Sequence, residues 1–350
     1  MTLAAFLHHI ELACVLALMS ATLVRMMIGI GVMDTPDRRK SHTRPTPKGG
    51  GVGIVAAFLA GMYILYRYAE FSRLADPYFR GVILAAVAIS VVAFLDDMRD
   101  WPFTVKLAAQ VVAALMAVAS GLYVTEYRVP YVGPLDLGWL GIVATLVWIL
   151  FATNAMNFID GLDGLAAGTA LVASGFLAYI AIGQEGSFVY FAALLLAAGL
   201  VGFLPFNFPR ARIFMGDVGS QFCGFMLAVL GVAAARFGAI EMSFLLVPML
   251  LSGVLLDVAF TLVRRALAGQ RITAAHRSHV YQIAHRSGIP APVVAMVHWG
   301  FAAFGGVCCL VFIHVSSQWK PFVPFLVLPP QLVWLALVAH RARVAGIRTW

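Results

Sequence analysis

The chain has 350 residues, 62% of them hydrophobic and only 11% charged, with a mean hydropathy of +0.91 and a formal net charge of +8. Soluble globular chains carry roughly a quarter charged residues, so this much apolar surface cannot all be hidden from water in a soluble core. Soluble, disordered, fibrous and disulfide-scaffold classes are excluded, and the basic excess reads as a membrane-topology signal, not as a nucleic-acid footprint.

A bilayer core takes about 20 apolar residues per helix, within a range of roughly 17 to 25. In chain order this ruler predicts eleven spans. They are Leu12–Ile30, Gly51–Tyr66, Gly81–Leu95, Phe103–Val124, Leu137–Ala155, Leu165–Ile182, Phe188–Phe206, Gly219–Ala235, Phe244–Val263, Val293–Val315 and Phe322–Ala339. The runs are continuous, without the alternation of a β-barrel. The predicted fold is therefore all-α, a polytopic transmembrane helical bundle forming one domain over residues 1–350. No basic stretch precedes the first run and no small-residue cleavage site precedes Arg25, which predicts a retained span and not a signal peptide. Cys14, Cys223, Cys308 and Cys309 lie in apolar runs without CxxC spacing and are expected to be buried free thiols.

Eleven spans place the termini on opposite sides of the membrane. If the C-terminus is cytoplasmic, that side collects sixteen Lys and Arg residues and the other side six, the positive-inside asymmetry. The polar stretches Asp34–Gly51, Asp96–Trp101, Asn154–Gly164, Arg210–Ser220 and Arg264–Ser287 fall on the same side. The expected site is therefore cytoplasmic.

Four constellations carry chemistry. In the first, an apolar helix runs into Asp96, Asp97 and Asp100, which share a helix face and repel one another unless a cation or proton separates them; a solvated helix end is the bland alternative. Lys106 follows one turn inside the next span, where it either snorkels or meets phosphate. In the second, Asn154, Asn157, Asp160 and Asp163 are interleaved with glycines between two spans, oxygen donors that suit Mg²⁺ or sugar hydroxyls. In the third, Met215-Gly216-Asp217 precedes a span, so Asp217 is either a helix-dipole partner or a metal-binding carboxylate beside a phosphate site. The fourth is the basic loop from Arg264 to Arg286 with His276, Arg277 and His279, which lacks the ligands of a zinc site and suits phosphates or anionic lipid headgroups. Asp257, deep in the ninth run, is expected to pair with Arg264 or Arg265.

In this order and parity, the four stretches resemble the polyprenyl-phosphate N-acetylhexosamine-1-phosphate transferase family. The likeness covers most of the chain, including Asp34-Thr35-Pro36 and the run from His42 to Gly50. It implies transfer of a sugar 1-phosphate from a UDP-N-acetylhexosamine to a polyprenyl phosphate in the lipid bilayer, with release of UMP. It further implies Mg²⁺, with Mn²⁺ as a substitute, held by Asp217 and Asn157. Asp96 and Asp97 match the family's acid pair, which receives or deprotonates the lipid phosphate, so Asp96, Asp97 and Asp217 form the expected catalytic set. Lys106, Asn154, Asp160, Asp163, His276, Arg277 and His279 are the expected substrate contacts. Many members carry His-x-His-His where this chain reads His279-Val280-Tyr281-Gln282, and only His279 matches. That form is most similar to the bacterial inner-membrane branch that initiates O-antigen and related surface polysaccharides; a homodimer is compatible with it. The rivals are a cation- or proton-coupled transporter, whose acids would sit mid-membrane, and a CDP-alcohol phosphotransferase, whose further paired acids are missing here.

Overall fold

The computed structural model describes residues 2–35, 44–68, 77–99, 101–129, 133–184, 186–237, 242–271 and 276–347. Thirteen α-helices follow in order: α1 (Leu3–Ile30), α2 (Gly51–Tyr68), α3 (Pro77–Arg99), α4 (Phe103–Ala119), α5 (Gly138–Ile159), α6 (Leu165–Gly183), α7 (Ser187–Asn207), α8 (Gly216–Phe237), α9 (Leu246–Leu250), α10 (Ser252–Leu267), α11 (Val280–Arg286), α12 (Ala291–His314) and α13 (Leu328–Val344). A 3-10 segment, Lys320–Val327, leads into α13. Among the described residues, nine helical segments are long and apolar enough to cross a membrane. The protein is a multi-pass helical membrane protein.

Two predicted spans are corrected. The fourth, expected to reach Val124, stops at Ala119. Gly121 there takes φ +94°, and the Gly121 and Leu122 amides donate back to Val118 and Ala117, the glycine-terminated Schellman cap. The ninth is two helices, α9 and α10, meeting at Leu251, with Pro248 removing a backbone donor from the short first piece. Two short antiparallel hairpins also stand outside the all-α expectation: β1 (Met33–Asp34) with β2 (Thr46–Pro47), and β3 (Glu126–Val129) with β4 (Gly133–Asp136). An apolar-run ruler cannot see them.

Helix α8 is the centre of the bundle: 94% of its membrane-length window is buried, against 22% for α1 and for the C-terminal segment. It packs on α3 and α5, with α2 across its N-terminal turns. The α2 contact is backbone to backbone, because a Cβ on Gly51 would lie 2.3 Å from the Gly219 Cα. Small residues let membrane helices approach this closely. Cys223, Cys308 and Cys309 are buried free thiols as expected, whereas Cys14 is exposed on the outer face of α1.

Candidate active site

The ends of α3 and α5 and the starts of α4 and α8 meet at one end of the bundle. Gly216 opens α8 with φ +75°, and a Cβ there would fall 2.5 Å from Asp97 Oδ2. Only glycine meets both demands. Asp97 uses the space to accept the Asp217 and Val218 amides, at 3.2 Å each. It therefore caps the N-terminus of α8 from another helix, where a carboxylate satisfies two otherwise unpaired donors.

Its neighbour Asp96 behaves differently. One oxygen accepts the Trp101 amide at 2.8 Å, and the other meets Lys106 Nζ at 2.5 Å. The same ammonium lies 2.7 Å from Asp217 Oδ2. Lys106 thus neither snorkels nor waits in solvent; it bridges two carboxylates from α3 and α8. Asp217 Oδ1 accepts from Asn157 Nδ2 at 2.9 Å, and that amide also donates to Ser220 Oγ at 2.9 Å. With both its donors committed, Asn157 has its carbonyl oxygen left to offer a ligand.

These groups open on a cavity of about 550 Å³ whose walls carry Asp34, Asp96, Asp97, Asp160, Asp163 and Asp217 against Lys48 and Lys106. Burial, with Asp217, Asp97 and Asp163 nearby, pushes the Asp160 carboxyl well above its ordinary range. Six acidic side chains facing two lysines is the oxygen-donor chemistry of a hard cation. Among the described residues no three His, Cys, Asp or Glu side chains converge as a ready metal cage. Mg²⁺ commonly takes one or two carboxylates together with phosphate oxygens and waters, which is the contribution Asp217 and Asn157 can make.

The structure sorts the expected contacts. Asp96, Asp97, Lys106, Asn157, Asp160, Asp163 and Asp217 all line the cavity. Asp163 also accepts the Ala211 amide at 2.9 Å, tying down the segment before α8. Asn154 is not on the cavity wall; it and Asn157 lie within α5, not in the loop after it. Asp100, with His42 and Thr43, lies outside the described residues.

The basic loop is placed beside the cavity by other residues than the expected three. His276, Arg277 and His279 do not line the cavity, whereas Tyr281, Gln282 and His285 do. Asp257 is the reason. It holds His279 Nδ1 at 3.0 Å, while accepting the Val280 and Tyr281 amides at 3.0 and 2.8 Å. This draws His279 into the bundle, 4% exposed. Burial, then the neighbouring His279, Arg265 and Arg264, lowers His276 to about 4, so it is neutral at physiological pH and supplies no charge to a phosphate. Tyr281 is pinned by its hydroxyl donating to Phe158 O at 2.9 Å.

Sequence reasoning missed Lys48 and Asp34 as cavity residues. The β1–β2 pairing and the Lys48 amide donating to Val32 O at 2.8 Å carry both to the site. The Pro47-Lys48-Gly49 step between a polar stretch and a span was the available signal.

Comparison with known proteins now bears on this geometry. The model for glycosyl transferase family 4 matches residues 79–235, which include α3 to α8 almost entirely. The chain is 29% identical over 318 residues to a probable undecaprenyl-phosphate N-acetylglucosaminyl 1-phosphate transferase of Bacillus subtilis, covering 90% of this chain and 86% of the relative. It is 32% identical over 321 residues to the decaprenyl-phosphate N-acetylglucosaminephosphotransferase of Mycobacterium tuberculosis, covering 83% and 78%. A phospho-N-acetylmuramoyl-pentapeptide-transferase of Desulforudis audaxviator is 32% identical over 261 residues, covering 68% and 76%.

Proposed function

The chain belongs to glycosyl transferase family 4, the polyprenyl-phosphate sugar-1-phosphate transferases, and from that premise we propose that it moves an N-acetylhexosamine 1-phosphate from a UDP-sugar to a polyprenyl phosphate, releasing UMP. The observation that carries the reading is the Asp96–Lys106–Asp217 bridge set in a carboxylate-walled cavity at one end of a membrane bundle. An anionic lipid phosphate and an anionic diphosphate must meet there, so managing charge is the main task.

In the reaction, an oxygen of the lipid phosphate bonds to the β-phosphorus of the UDP-sugar. The bond from that phosphorus to the oxygen bridging it to UMP breaks, and UMP leaves with the electron pair. Mg²⁺ held by Asp217 and Asn157, with Mn²⁺ as a substitute, would supply charge neutralisation to the diphosphate and the leaving phosphate. Lys106 adds a fixed positive charge beside them. Asp96 is better placed than Asp97 to take a proton from the lipid phosphate. Both Asp97 oxygens accept backbone amides of α8, whereas one Asp96 oxygen meets the ammonium of Lys106, a side chain that can move. Gln282 and His285 offer amide and imidazole groups to the sugar nucleotide, beside Tyr281, whose hydroxyl is held by Phe158 O.

The basic-residue asymmetry supports a cytoplasmic cavity in a bacterial inner membrane, and the His-Arg-Ser-His form supports the first membrane step of a surface polysaccharide such as O-antigen. The ion-coupled transporter has nothing in its favour: the site acids stand at helix ends, not at mid-span.

One phosphoanhydride replaces another, so the reaction should run freely in both directions. Lipid product carrying labelled sugar, incubated with protein, divalent cation and excess UMP, is expected to return label as UDP-sugar. No return of label would overturn the proposed exchange.

A further inference from the structure

Behind the cavity lies a second tier of polar side chains that no step above uses. Each of three helices supplies a pair about one turn apart: Lys106 and Gln110 on α4, Asn154 and Asn157 on α5, Asp217 and Gln221 on α8. One member of each pair faces the cavity. The other three touch each other inside the bundle. Asn154 Nδ2 donates to Gln110 Oε1 at 2.6 Å, Gln110 Nε2 donates to Gln221 Oε1 at 3.1 Å, and Gln221 Nε2 donates to Asp217 Oδ2 at 3.3 Å. Gln110 and Gln221 are 3% and 2% exposed.

The direction of this chain is fixed at both ends. At one end Asn154 Nδ2 also donates to Leu150 O at 2.8 Å, and a flipped amide would set two oxygens against each other. At the other end a carboxylate can only accept. Every amide therefore points its N–H end toward Asp217, and aligned hydrogen bonds strengthen one another in a low dielectric. Buried carboxamides in membrane spans are costly unless fully partnered, and these are partnered in series.

We infer that Asn154, Gln110 and Gln221 act as a one-way positioning chain for Asp217, so that Asn154 serves the reaction through that carboxylate and does not touch the sugar. The chain keeps Asp217 turned toward the cavity, adding a donor beside Lys106 and Asn157. This role rests on the transferase reading of the site, and its test is built to fail separately from that reading.

The test uses the full-length protein in detergent with three near-isosteric variants: Asn154→Leu, Gln221→Met and the double substitution. Turnover, KM for the UDP-sugar and the rise in unfolding midpoint on Mg²⁺ titration are measured for each. Gln221→Met is expected to lose about tenfold or more in kcat, the scale of a lost hydrogen bond to a charged group. Asn154→Leu should lose a comparable amount, because it removes the donor that fixes the Gln110 and Gln221 amides in their orientation. KM should be unchanged, and more Mg²⁺ should be needed for half of the midpoint rise. The double variant should be no worse than the poorer single, because a chain cut once is already cut. Additive losses, or an Asn154→Leu protein with raised KM and intact kcat, would overturn the inference in favour of direct contact.

Asn154→Asp covers the case in which an apolar variant does not fold. Its carboxylate only accepts, so Gln110 and then Gln221 must turn over and present oxygen to Asp217; the same loss is expected, and a wild-type response would sink the chain. Were the wild-type protein to release no UMP, the transferase reading would fall. The Mg²⁺ titration of the same proteins would still decide this point: equal, non-additive weakening upholds the chain, and an unaltered or absent response refutes it.

Discussion

An Asp217→Asn protein is expected to insert and fold, and to lose at least about a hundredfold of its turnover even in excess Mg²⁺, the usual scale for a lost transition-state electrostatic group. The geometry explains why a near-isosteric change should cost so much. The carboxylate accepts from Asn157 on one oxygen and from Lys106 and Gln221 on the other. Whichever way an asparagine amide is turned, its NH₂ meets a donor, so about 1–3 kcal/mol of stability should go as well. Were Asp217 only a helix-dipole partner, its replacement would cost about 0.3–1 kcal/mol and no chemistry. Turnover of UMP by purified protein, read beside a thermal unfolding curve, separates the two; near wild-type turnover in a folded variant would remove Asp217 from the reaction.

The second large effect is expected at Lys106. Lys106→Met keeps the length and apolar stem of the side chain but leaves Asp96 and Asp217 facing each other without the ammonium between them. Asp96 is almost wholly buried, while Lys106 is about a quarter exposed. The full penalty of a broken buried pair, about 3–5 kcal/mol, is therefore an upper bound that solvent screening reduces. Activity should fall by about a hundredfold or more, and the unfolding midpoint should drop. The drop should be partly reversed by Mg²⁺, because a divalent cation can replace the missing charge between the carboxylates. Unchanged stability and turnover would show that the bridge is incidental.

How much of this was legible in the sequence depends on the kind of contact. Apolar runs marked every long helix, because a membrane span must be apolar along most of its length. They misplaced helix ends wherever polar residues stay helical: α5 runs on to Ile159 because Asn154 and Asn157 find partners inside the bundle and no glycine interrupts until Gly161. The acids of the site were legible as motifs because intramembrane carboxylates are rare. Their division of labour was not. That Asp97 caps α8, 120 positions on, while Asp96 holds Lys106 on the next helix is settled only by the folded arrangement, and two adjacent identical letters carry no trace of it.

The histidine loop was legible in composition but not in placement. Its composition suggested phosphate binding, yet Asp257 on α10 captures His279 and the first amides of α11, turning Tyr281, Gln282 and His285 to the cavity instead. Gln110 and Gln221 could have been noticed. Each stands four residues past a site residue, inside a predicted apolar run where an amide needs a reason to be.

The central claim is that this cavity transfers a phosphosugar and not a sugar alone, and the fate of the donor's β-phosphate tests it most directly. Purified protein, polyprenyl phosphate, Mg²⁺ and a UDP-N-acetylhexosamine labelled at the β-phosphorus should yield labelled lipid and an equal amount of unlabelled UMP. Label remaining with the nucleotide as UDP, or donor carried across a vesicle membrane with no UMP formed, would contradict the account.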